Sequence, residues 1–333
     1  MFVLKSLAVA VFALVASAAV AAEPATLTVY TYQSFASEYG PGPGIKKGFE
    51  AQCGCTLDFV AVDSAIGALR RIQLEGATSR ADVLVGLDTS IAGEARGTGL
   101  FAPHGLDLTG LALPQKWTDA DFVPFDYGYF AFVYDTTKVS KPPKSFEDLI
   151  AEPASFKVAL EDPRSDTPGL GLLLWIKAAY GDRAPEIWQG LKPHIATLAR
   201  SWDDAYGLFL KGEADMALSY TTSPAYHAIE EKKPNYAFAE FSEGYYPQIE
   251  VAGVLKASKQ PQLARQFLTY LTSVEAQKVI PTTNWMYPVR DLGADLPAAF
   301  AAQPQPSKIL SLDEASITAN KAKWIDEALA AIK

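Results

Sequence analysis

Residues 122–134, FVPFDYGYFAFVY, form an unusually long and aromatic extended run for a single strand. It lies between two stretches that each alternate strand and helix patterns. In the first, residues 27–32, 57–62 and 82–86 are β-rich. Between them, residues 45–52 and 65–75 are helical, the latter with Ile66, Leu69, Ile72 and Leu74 at near-helical spacing. In the second, residues 158–162 and 216–220 read as strands and 169–180 as a buried helix. Repeated strand–helix–strand units predict parallel sheets covered by helices. Residues 248–255 are a second extended run able to cross back. The expectation is therefore a bilobed α/β fold, its two lobes joined by extended crossover strands with a ligand cleft between them. Lobe 1 is expected from residues 24–124 with 256–333, and lobe 2 from 125–255, with hinge crossings near 122–134 and 248–255. Residues 262–278 and 312–332 read as amphipathic helices. In parallel α/β sheets ligands collect at the carboxyl ends of strands, where Tyr32, Asp63, Ser64 and Asp88 fall.

The chain has 333 residues and a formal charge of −9. Lys5, an apolar stretch over residues 7–20 and small residues at 20–22 predict a secretory signal peptide over residues 1–22 and export. Its removal leaves about 310 residues, more than one ordinary core and enough for two. The acidic balance, without basic runs, argues against nucleic acid or an anionic membrane as partner. Cys53 and Cys55 are the two cysteines. In an oxidising compartment they read as a local bridge or an inert pair, while two sulfurs and three histidines give little basis for a metal site.

Enzyme signatures are missing. His104, His194 and His227 are scattered, His227 reading as a solvated helix residue, and there is no nucleophile elbow, P-loop or dinucleotide fingerprint. No catalytic residue, metal or cofactor is assigned. Candidate binding residues come instead from loops after strands. Asp166 and Thr167 precede Pro168 and suit a helix cap, a ligand contact, or both. Tyr220, Thr221, Thr222 and Ser223 place four consecutive hydroxyl groups at a helix start, more than capping requires and suited to an alcohol or phosphate. Trp202, at the start of a helix, and Trp285, in a turn-rich loop, are candidate platforms for a cationic aromatic ligand; Trp117, Trp175, Trp188 and Trp324 read as packing residues.

Residues 27–32, 40–43, 122–134, 162–164, 167–175, 205–213, 219–226 and 284–288 together make the chain resemble the periplasmic thiamine-binding proteins of bacterial ABC importers over nearly its whole mature length. The resemblance implies a type II periplasmic-binding fold closing on thiamine or its phosphates. It implies rings held against Trp202, Tyr226 and Trp285, with Tyr32 lining the cleft. Asp166, Thr167 and Tyr220 to Ser223 correspond to ligand-contacting positions. The implied partner is a membrane permease, and a monomer is expected. Two departures stand out: an Asp-Gly pair of the family aligns with Ser64-Ala65, displacing Asp63 by one position, and Asp166 replaces a Ser. An added carboxylate at 166 favours the thiazolium and disfavours a nearby phosphate. Alternatives are a polyamine or ferric-iron carrier on the same scaffold, or a thiamine-cleaving enzyme, which would need a nucleophilic cysteine in the cleft.

Overall fold

A computed structural model describes residues 24–333; the leader expected over residues 1–22 lies outside the described residues. The strands in chain order are β1 (Thr26–Tyr32), β2 (Thr56–Val62), β3 (Val83–Asp88), β4 (Phe101–Ala102), β5 (Phe122–Asp135), β6 (Val158–Glu161), β7 (Ile195–Ala199), β8 (Met216–Tyr220), β9 (Tyr236–Phe238), β10 (Pro247–Leu255) and β11 (Tyr287–Pro288). The path across the sheet is β2-β1-β3-β10-β5-β8-β6-β7. At one end β1 runs parallel to β2 and β3, and at the other β6 runs parallel to β7 and β8. The crossing strands β5 and β10 are antiparallel to their neighbours.

The length of the aromatic run now has a cause. From Phe122 to Tyr129 β5 pairs with β10, and from Phe130 to Tyr134 it pairs with β8. Each half belongs to a different sheet region, so one strand must be long and apolar enough for two cores. Phe125 is buried with Phe35, Phe49 and Phe267 in one of them; Phe132 stacks on Trp175 at 6.1 Å in another. Each such ring taken from water contributes about 2–3 kcal/mol. Trp175 also satisfies its indole N–H by donating to the Gly244 carbonyl at 2.8 Å, and Trp188 and Trp324 are buried as packing residues.

Helix boundaries differ from the sequence expectation where capping decides them. The helix Gly42–Cys53 starts inside the Pro/Gly turn, because proline is tolerated in a first turn, and it stops at Gly54 in left-handed conformation (φ 62°). Cys53 and Cys55 form a disulfide around that glycine. Residues 262–278, expected as one helix, are two, Pro261–Leu271 and Val274–Gln277. The second is restarted by Ser273, whose Oγ accepts from the Ala276 N–H. The C-terminal helix Glu314–Ile332 packs on the helices Ala92–Gly97 and Ala184–Leu191, with Lys321 paired to Glu94 and Trp324 beneath the Lys177 ammonium.

Candidate functional site

The carboxyl ends of β1, β2, β6 and β8 open onto one cavity of about 590 Å³, within the size range of small-molecule sites. Among the residues expected at a ligand, Tyr32, Asp63, Ser64, Ala65, Asp166, Thr167, Trp202, Tyr220, Ser223, Tyr226 and Trp285 line it. Thr221 and Thr222 do not. Both are fully buried as the chain turns from β8 into the short helix Ser223–Tyr226, and the Thr221 N–H is tied to the Tyr129 carbonyl at 2.9 Å. The run of four hydroxyls is thus split by backbone direction: Tyr220 and Ser223 reach the cavity, and the two threonines face the interior.

Aromatic rings form two clusters in the wall. Trp202 stacks on Tyr206 with centroids 4.8 Å apart, and its Nε1 donates to Ser219 Oγ at 3.0 Å. In the other cluster, Tyr226 meets Trp285 edge-on at 5.1 Å. Trp285 has φ 56°, a left-handed conformation costly for a bulky residue. It is held there with its ring stacked on Phe300 at 6.3 Å. His227 corrects the expectation of a solvated residue: it is fully buried. Its Nε2 lies 2.8 Å from the Tyr206 hydroxyl and its Nδ1 2.9 Å from Glu231. A neutral imidazole protonated on Nδ1 satisfies both contacts, and burial lowers its pKa accordingly. His227 therefore braces the Tyr206 ring on which Trp202 stacks.

The floor is acidic. Tyr32 donates to Glu250 at 2.8 Å, and Asn284 Nδ2 donates to Asp126 at 2.6 Å and to Tyr32 at 3.1 Å. Asp126 and Glu250 are register partners across β5 and β10, and Asp88 on β3 is the partner of Glu250 on its other side. Burial pushes Asp126 up to about 8 and Asp88 to about 6; burial and then the Asp126 charge push Glu250 well above the usual carboxylate range. Asp166, almost fully buried, is pushed up to about 7 by burial, opposed by the N–H groups of Trp202 and Thr167. Among the described residues, the lining includes Asp63, Asp166, Asp203, Glu230 and Glu250 and no Lys, Arg or His. Such a wall suits a cation.

Hydrogen bonds close the mouth. Ser64 Oγ caps the helix Ala65–Glu75 by accepting from Gly67 N–H at 3.0 Å and donates to the Ser165 carbonyl at 2.5 Å. That double role accounts for serine at this position, with Asp63 at the cavity edge. Tyr39 Oη donates to Asp203 Oδ1 at 3.3 Å. Sequence reasoning misses Tyr39, Asp203, Tyr206, Glu250 and Asn284. For Glu250 a signal existed, since it and Asp126 are carboxylates set in the middle of mostly apolar crossing strands. Gly86 (φ 103°) likewise has a reason only in three dimensions: a Cβ there would lie 2.3 Å from the Tyr32 ring.

A two-region α/β molecule with crossover strands and an aromatic, acidic cavity at the strand ends is a solute-receptor architecture. The profile of the bacterial extracellular solute-binding protein family matches residues 25–278, and the chain belongs to that family. It is 50% identical over 314 residues to the thiamine-binding periplasmic protein of Escherichia coli K12, covering 94% of this chain and 95% of that one. To the thiamine-binding periplasmic protein of Brucella suis it is 46% identical, covering 99% of both. A solved periplasmic thiamin-binding protein superimposes with a TM-score of 0.90 at 50% identity, covering 93% of this chain and 97% of that chain. The fold is thus the type II periplasmic-binding fold.

Proposed function

We propose that this chain is an exported receptor that captures thiamine in the periplasm and delivers it to the permease of an ABC importer. The observation that carries the reading is the cavity itself: stacked and edge-on aromatic rings around carboxylates, with no cationic side chain in the lining among the described residues. Thiamine is a pair of flat rings, one a fixed cation. It gains stacking and cation–π attraction from Trp202, Tyr226 and Trp285, and its positive charge suits an acidic lining that includes Asp63, Asp166 and Asp203. The similarity to proteins named for thiamine binding supports the same ligand.

The protein acts as a monomeric binder rather than a catalyst in this reading. Cys53 and Cys55 are joined in a disulfide and stand outside the cavity lining, so the thiol nucleophile of a cleaving enzyme has no candidate there. Against ferric iron, the Tyr220 hydroxyl of the candidate tyrosine pair Tyr220 and Tyr226 is taken up by Gln248 at 2.6 Å, and among the described residues no cluster of three His, Cys, Asp or Glu side chains could hold a metal ion. A polyamine would also find carboxylates and flat rings and is the control that matters. Calorimetry with thiamine, spermidine and ferric citrate tests the assignment. Thiamine should bind at micromolar affinity or tighter, quench tryptophan fluorescence and be recovered intact; heat from spermidine or iron alone would refute it.

A further inference from the structure

Thiamine and its phosphate esters share their rings and differ at one end, an alcohol in the first and a multiply charged anion in the others. We propose that this cavity selects the unphosphorylated, cationic vitamin against its mono- and diphosphate, and that Asp166 is the residue that sets this preference. The inference rests on the thiamine reading above and concerns the same cavity.

Three observations carry it. The first is the sign of the wall, which among the described residues bears five carboxyl-bearing side chains and no Lys, Arg or His. A phosphate entering it finds no counter-charge, and burying an unpaired anion is heavily disfavoured. The second is the state of the helix ends. Helix N-termini are the usual protein device for holding phosphate. Here the Asp166 carboxylate, itself only 6% exposed, caps the 14-residue helix Thr167–Tyr180 by accepting from the Thr167 N–H at 3.1 Å. The helix Trp202–Leu210, which also lines the cavity, has its own cap in Ser201, whose Oγ accepts from the Asp204 N–H at 3.3 Å. Both helix starts are thus already capped by the protein's own side chains, the first of them by an anion.

The third observation is that five of the cavity's hydroxyl groups are engaged elsewhere. Ser64 donates to the Ser165 carbonyl, Tyr220 donates to Gln248 Oε1 at 2.6 Å, and Ser223 pairs with Ser219 at 2.8 Å. The Tyr206 hydroxyl is held by His227 and that of Tyr32 by Glu250. A phosphate would have to break several of these bonds to be solvated by the wall, whereas a neutral alcohol needs one partner. A cation at the rings asks nothing of the hydroxyls and is favoured by the carboxylates.

Calorimetry on the wild-type protein and on Asp166→Ser and Asp166→Asn at pH 7.5 tests the proposal. Wild type should bind thiamine about 30-fold or more tighter than either phosphate, and both variants should narrow that ratio about tenfold, chiefly by gaining affinity for the phosphates. Salt gives a second measurement that needs no variant. Between low and high sodium chloride, diphosphate binding to wild type should strengthen as repulsion is screened, while thiamine binding weakens. A wild-type preference below about 3-fold, a ratio unmoved in folded variants, or salt effects of the opposite sign would overturn the proposal. Equal binding of all three species defeats this inference alone, whereas thiamine silence defeats the receptor reading beneath it.

Discussion

Replacing Asp126 by Asn should change how the stability of the protein depends on pH. Asp126 is fully buried on β5, opposite Glu250 on β10, with one carboxylate oxygen accepting from Asn284 and the other without a partner among the described residues. Burial raises its folded pKa to about 8, against roughly 3.9 in an unfolded chain. The folded state therefore holds a proton that the unfolded state releases. The stability this contributes is complete below the unfolded value and is lost as pH rises through the folded one. One such proton gives a slope of roughly 1.4 kcal/mol per pH unit. Glu250, also raised by burial, keeps a similar slope of its own in the variant. From about pH 5.5 to 7.5 the variant should therefore gain on wild type by an amount approaching about 3 kcal/mol. An asparagine can still offer its carbonyl to Asn284, so the contact survives. Urea unfolding of ligand-free protein at pH 5.5, 6.5 and 7.5 measures the difference directly. Parallel stability profiles, with the gap constant within about 0.5 kcal/mol, would refute a protonated Asp126.

Three further substitutions separate the parts of the site. Trp285→Ala removes one aromatic wall and should weaken thiamine binding about 10- to 100-fold, with a smaller fluorescence change on titration. Tyr39→Phe removes the hydrogen bond to Asp203 at the mouth. It should speed ligand release in stopped flow by roughly 2- to 10-fold while leaving the melting temperature unchanged, because Tyr39 is 62% exposed. Thr222→Val replaces a buried hydroxyl that has no partner among the described residues. Affinity should not move and stability should hold or rise; a loss of binding of about tenfold would place Thr222 at the ligand after all.

Much of the cavity lining is legible because lining residues follow strands, and strand ends show in the pattern of apolar runs. Tyr32, Ser64, Asp166 and Tyr220 are found that way. Trp202 and Trp285 stand out because a large ring beside a turn has less to pack against than one in a leucine run. What the pattern lacks is direction. Thr221 and Thr222 carry the same chemistry as Ser223, yet the turn after β8 sends their side chains inward. His227 follows Tyr226 and precedes charged residues, which suggests solvent, but the cover of Tyr206 and Tyr236 buries it.

Local periodicity and turn chemistry suffice to establish that the chain alternates strand and helix in two sets, that a single aromatic run serves both, and which loops can carry rings and hydroxyls. Each of these is a property of neighbours along the chain. The meeting of Asp126, Glu250 and Asp88 on adjacent strands, the burial of the Asp166 cap in the cavity wall, and the reach of Tyr39 to Asp203 across the mouth all come from the tertiary fold. The charge of a cavity is a sum over residues far apart in the chain, and burial sets how strongly each one counts. Neither quantity exists until the strands have found their neighbours.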